Sequence, residues 1–155
     1  MFKLQDILKF NESDVKKMAQ NTVRRHKKQI LDGKDFQGKS FGSYAPYSES
    51  YAARKKVNKS DVNLKLSGKM LNAFNVQRTK VKKNQEIQYL YGIKKNKQGT
   101  KLFNHNEGTE KMPKRSIAEN QHLGEDVEVG VVKDFANTIG KNLSRMSKTH
   151  VKLNI

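Results

Sequence analysis

A chain of 155 residues has room for one domain and one core, and with 34% hydrophobic and 30% charged residues that core must be thin. The absence of Cys excludes disulfides and thiolate metal sites, while five Tyr and seven Phe argue against full disorder. The formal charge is +17, and residues 33–116 hold most of the excess, with 19 Lys/Arg against 6 Asp/Glu; so basic a surface attracts polyanions, nucleic acid above all, without telling them apart.

The opening MFKLQDILKF carries charge inside a short apolar run and has no small-residue cleavage site, so it does not read as a signal peptide. No apolar run is long enough to span a membrane, which places the expected workplace on the cytoplasmic side. The first firm element is a helix from about Glu12 to Leu31. Val15, Met18, Ala19, Val23, His26 and Ile30 recur at three- and four-residue steps and form one apolar stripe. Asn11 or Ser13 can cap its start, Asp14 suits the dipole of the first turn, and Arg24, Arg25, Lys27 and Lys28 suit the last turns before Gly33. His26 reads as a helix histidine packed at the edge of the core.

Between Gly33 and Ser60 the periodicity collapses into a stretch rich in Gly, Ser and aromatics. Phe36, Phe41, Tyr44, Tyr47 and Tyr51 cannot be left in water cheaply, and so thin a core has little room for all of them. Residues 33–60 are therefore expected to form a long interaction loop, some of whose rings pack on an adjacent subunit or another partner. A short helix from Tyr51 to Val57, capped by Ser48 or Ser50, interrupts it. Leu64 to Phe74 reads as an extended approach, a turn near Ser67-Gly68 and a short helix. AFNVQRTKVKKN and QEIQYLYGI then read as paired strands with the turn at Lys82–Asn84; Ile87, Tyr89, Tyr91 and Ile93 alternate with polar or smaller residues. A short helix from Gly99 to Asn106 stops at Gly108, and MPKRSIAEN runs extended. The last helix spans about Asp126 to Met146, with Val127, Val131, Phe135, Ile139, Leu143 and Met146 in register, and residues 147–155 form a loose tail. The expectation is a single α+β domain over residues 1–155, with long N- and C-terminal helices packed on a small antiparallel sheet.

Little points to catalysis. No two of His26, His105, His122 and His150 have the i, i+4 spacing of a helical metal site. Phe103-Asn104-His105-Asn106-Glu107-Gly108 faintly resembles a His-Asn-His nuclease, but the further ligands that site needs are missing. There is no phosphate-cradling glycine loop and no GxSxG, and Lys39-Ser40 lacks the strand-loop-helix context of a nucleotide site. No catalytic residue, cofactor or metal is expected. Lys94 to Phe103 mixes cations with an aromatic and reads as a lysine-protected sheet edge before a single-strand platform.

Three landmarks in order carry a resemblance. The first is Gly38-Lys39-Ser40-Phe41 through Tyr44-Ala45-Pro46-Tyr47-Ser48, the second Leu66-Ser67-Gly68-Lys69-Met70-Leu71. The third is His105-Asn106-Glu107-Gly108 followed by Met112-Pro113-Lys114-Arg115-Ser116-Ile117. Together, over residues 12–146, they resemble the virion morphogenesis family of tail-completion and neck proteins of long-tailed bacteriophages. Phe41 stands where the family has Trp, Lys114 where it has Ala, and Ile117 where it has Phe. The resemblance implies a structural virion subunit, not an enzyme, assembled in the host cytoplasm and placed at the neck or tail terminus. It would form a homo-oligomeric ring, a hexamer by analogy, that joins the tail tube to connector or stopper proteins, with non-specific DNA contact in the lumen. Gly68 and Gly108 would be backbone turns that a Cβ would strain, and Pro113 would fix the lead into the last helix. The alternative reading is a basic nucleic-acid-binding module, resting on the charge.

Overall fold

Helix α1, Glu12–Leu31, forms where its stripe and caps predict it, with Val15, Met18, Ala19, Val23, His26 and Ile30 all buried. The computed structural model describes residues 8–64, 68–82, 86–118 and 125–150. The Asn11 side-chain oxygen accepts the Asp14 N–H at 2.8 Å, satisfying one of the orphan donors of the first turn. Two short helices follow, α2 (Phe41–Tyr44) and α3 (Glu49–Lys55), the latter capped by the Ser48 hydroxyl. A 3-10 turn at Leu71–Ala73 leads into strands β1 (Phe74–Val81) and β2 (Ile87–Ile93), then α4 (Lys97–Glu107) and α5 (Glu125–His150). The architecture is mixed helix and sheet, with two long helices, α1 and α5, and, among the described residues, one antiparallel pair of strands.

The apolar residues of β1 explain an irregularity in its pairing. Phe74 and Val76 share one face, but Val81 lies an odd number of positions further on, so a regular strand would turn it the wrong way. The register runs Val76↔Tyr91 and then Arg78↔Leu90, leaving Gln77 as an extra residue. That bulge resets the alternation. Thr79 and Val81 now sit opposite Tyr89 and Ile87 on the helix-covered face, while Arg78 lies opposite the exposed Leu90. The hairpin closes through the Lys82 N–H donating to the Glu86 carbonyl at 2.9 Å. Asn84 of the expected turn lies outside the described residues, as do Leu66 and Ser67.

Two apolar clusters sit on either end of α1. The larger one gathers Val23 and Ile30 with Phe41, Tyr47, Leu71, Phe74, Leu102 and Ile117. The smaller one joins Phe10, Val15 and Met18 to Val81, Ile87, Tyr89 and Ile139. Helix α5 lies antiparallel along α1: Arg25 and Asn21 reach Asp134, and further along Lys141 faces Asp14 and Asn142 donates to the Lys9 carbonyl. Phe135 stacks on Phe10 with ring centres 4.7 Å apart. The stripe of α5 is only partly used. Val127 is fully buried, but Phe135 and Leu143 remain 38% and 47% exposed. The helix also continues to His150, so residues 147–150 of the expected loose tail are helical, because nothing in that stretch breaks the pattern; residues 151–155 lie outside the description.

The Arg25–Asp134 pair is the strongest polar tie between the long helices, at 2.7 Å, with side chains 31% and 13% exposed. Gly130 makes room for it, since a Cβ there would lie 2.4 Å from the Arg25 Nε. Asp134→Ala strands that guanidinium and the Asn21 amide, and should lower unfolding free energy by about 1–3 kcal/mol in urea titration. An unchanged midpoint would mean that apolar contacts alone hold α5.

Candidate functional site

The first and third sequence landmarks meet at one buried ion. Arg115 is only 3% exposed. Its guanidinium donates to the backbone carbonyls of Ala45 and Pro46, at 3.1 and 3.3 Å, and to His105 Nδ1 at 3.3 Å. It also lies over the Tyr47 ring, 5.5 Å from its centre. A guanidinium has no acceptor, so His105 Nδ1 must be the lone-pair nitrogen and Nε2 carries the proton. Around this ion the third landmark is stitched closed. The Arg115 N–H donates to the His105 carbonyl at 2.8 Å, and the Asn106 side-chain oxygen accepts from Ile117 and Ala118 at 2.8 and 2.9 Å. Leu71 of the second landmark sits in the same apolar cluster as Phe41, Tyr47 and Ile117.

This arrangement narrows the expectation for the loop aromatics from five rings to two. Phe36, Phe41 and Tyr47 are buried in the subunit's own core, at 7%, 0% and 5% exposure. Tyr44 is exposed and Tyr51 half-buried. The loop folds back because its turns are made locally. The Asp35 carboxylate accepts the N–H groups of Gln37 and Lys39, Lys34 bridges to Ser40, and Phe36 donates to the Ser116 carbonyl at 3.0 Å. The Tyr47 hydroxyl accepts from Lys55 at 2.8 Å and from the Leu64 N–H at 3.3 Å. Only Tyr44 and the outer side of Tyr51 remain available to a neighbour; burial and the nearby Asp35 push the Tyr44 hydroxyl up to about 12.

The three turn positions divide. Gly108 takes φ +80°, and a Cβ would also lie 2.9 Å from the Lys114 nitrogen, so both conformation and space exclude a side chain. Gly68 takes φ +72° with open space around it, so only conformation selects it. Pro113 lies, exposed, in the return from the Gly108 turn towards Arg115; the lead into α5 passes outside the described residues.

His26 is fully buried on α1, against Phe74 and within 3.5 Å of the Tyr91 hydroxyl. Its Nε2 has no hydrogen-bond partner among the described residues. Burial lowers its basicity, and burial together with Arg115 lowers that of His105 to about 4. In both rings the neutral form is favoured. Among the described residues no cluster of His, Asp or Glu could hold a metal ion, and His122 lies outside them.

The second feature was not foreseen from the charge distribution. An open groove of about 1270 Å³ runs between α1 and β1. Among the described residues its banks carry Lys16, Arg24, Lys27, Lys28, Arg78 and Lys94 against the carboxylates of Glu12 and Asp32. Four of these cations come from α1, outside the segment that holds most of the net charge. Of the Lys94–Phe103 stretch, only Lys94 takes part. No family model, curated protein or solved structure matches the chain.

Two outcomes follow from the buried node. Phe41→Ala empties the centre of the larger cluster and should cost about 3–5 kcal/mol of stability by denaturant titration, where a solvent-side ring would cost almost nothing. A histidine harder to protonate folded than unfolded lets the unfolded chain take the proton first. Stability should therefore be full above the ordinary histidine value near 6.5 and fall as pH drops towards about 4. Melting curves of His105→Gln should show a shallower loss across that window; a slope equal to that of the unaltered chain would remove His105 from the account.

Proposed function

We propose that this chain is a structural subunit of a tailed bacteriophage particle. In this reading it works in a ring at the neck or tail terminus, between the tail tube and the head connector, and performs no chemistry. The observation that carries the reading is the convergence at Arg115. Segments 38–48 and 105–117, which are remote in sequence and make up two of the three family-like landmarks, are hydrogen bonded to one another through buried groups, and Leu71 of the remaining landmark packs beside them. Chance likenesses in a basic, Asn-rich chain have no reason to assemble into one node.

The surface offers a means of association as well. Val129 and Val132 on α5 are 47% and 68% exposed, and with the exposed Ala136 and Leu143 they form an apolar stripe at helical spacing. That stripe takes over the docking role that the buried loop rings cannot fill. A ring, a hexamer by analogy, would bury it against the next copy or the tail tube. The groove beside β1 favours a second reading, a basic nucleic-acid-binding module.

The test is assembly. A phage lacking this gene should accumulate filled heads and finished tails that do not join, seen by electron microscopy. A copy carrying Val129→Asp and Val132→Asp should fail to rescue joining, while its melting temperature stays within a degree or two, since both side chains face water in the isolated subunit. Normal particles without the gene would refute the proposal; normal rescue by the double variant would refute the role of that helix face.

A further inference from the structure

We propose that the groove between α1 and β1 is a binding track for the sugar–phosphate backbone of double-stranded nucleic acid, read without regard to sequence. This inference does not depend on the ring reading, and either can fail without the other.

The chemistry of the banks carries it. On α1, Lys16, Gln20, Arg24, Lys27 and Leu31 follow at steps of four and three, so one stripe beside the buried one faces the groove. From Lys16 to Lys27 the stripe spans ~17 Å of helix, about the rise of five base pairs. Across the groove, Arg78 and Lys94 form the opposing bank. The β1 bulge matters here, because it turns Arg78 away from the helix-covered face and places Gln77 beside it. Residues Asn75 through Thr79 line the groove continuously and no residue of β2 does, so it follows the edge of β1 that carries no other strand among the described residues.

These cations are poorly compensated. Asp32 is engaged by Lys28 at 3.1 Å. Among the described residues Lys16, Lys27, Arg78 and Lys94 face no carboxylate within ion-pair distance, and Arg24 bonds to the Asn21 side-chain oxygen. Partial burial already disfavours the charge on Lys27. An incoming phosphate would relieve that cost, as well as releasing its own counterions. Neutral donors from Gln20, Asn75 and Gln77 line the same walls and suit phosphate and sugar oxygens. Among the described residues no aromatic ring lines the groove, which offers unpaired bases no platform there and favours the duplex over a single strand.

The experiment is fluorescence anisotropy with a labelled duplex of about 30 base pairs, titrated with the full chain from roughly 50 to 200 mM salt. The unaltered protein should bind on the order of micromolar at the low end, with little dependence on sequence and a steep salt slope. Arg24→Gln, Lys27→Gln and Arg78→Gln together should weaken binding by about tenfold or more and reduce the slope by about three. The matched control Lys97→Gln, Lys101→Gln and Lys111→Gln removes the same charge away from the groove and should retain most of the affinity. Because Lys27 is half-buried, Arg24→Gln with Arg78→Gln serves as a milder pair should the triple variant not fold. Equal weakening by the groove and control variants would overturn the proposal, since net charge alone would then explain binding. Tighter binding of single-stranded DNA, or of polyglutamate without duplex binding, would overturn it as well.

Discussion

A guanidinium ion removed from water, with no carboxylate beside it, must be hydrogen bonded by whatever encloses it, or its burial costs several kcal/mol. Arg115 is held by two backbone carbonyls, one imidazole nitrogen and the face of a tyrosine. Every one of those partners lies in a segment with no regular structure or at the end of a short helix. The ion therefore sets the path of residues 45–47, the tautomer of His105 and the position of Ile117. A chain with so little apolar content uses buried polar groups as cross-links where a richer core would use packing. Gln29, which donates to the carbonyls of Asp35 and Phe36, and Asn106, which accepts from Ile117 and Ala118, do the same work nearby.

Helix α1 carries the rest of the architecture. Two antiparallel strands are marginal alone in water, and these are covered by α1 along one face. The same helix offers Asn21 and Arg25 to α5, and a third side of it forms a bank of the basic groove. Its seating fixes the distance between the two rows of cations, so the groove is a consequence of how the core packs.

The two open surfaces make different physical demands. Burial of Val129 and Val132 would be driven by loss of apolar surface and would tolerate salt. Contact of Lys16, Arg24 and Arg78 with phosphates would weaken steeply with salt. In the proposed ring the two would not conflict, because the first would give lasting cohesion and the second contact that releases easily.

Helix α1 was legible almost to the residue, because periodicity, an Asn cap and a terminal Gly are all local signals. The Ser48 cap of α3, the Gly108 stop of α4 and the alternation of β2 were legible for the same reason. Even the bulge at Gln77 was latent in the odd spacing between Val76 and Val81. By itself the sequence determined the two long helices, the strand pair and the α+β class, but not the short helix at Phe41–Tyr44 or the 3-10 form of Leu71–Ala73. Tertiary structure alone decided where the aromatic rings went, since Phe41 and Tyr47 are buried by Leu64, Leu71 and Ile117, residues whose approach no local pattern encodes. It alone paired Arg25 with Asp134, 109 positions away, and so turned one of four apparently equivalent helix-end cations into an interhelix tie. It alone drew the α1 lysines and Arg78 to one groove, because the field of a charge depends on distance in space, and the fold sets that distance.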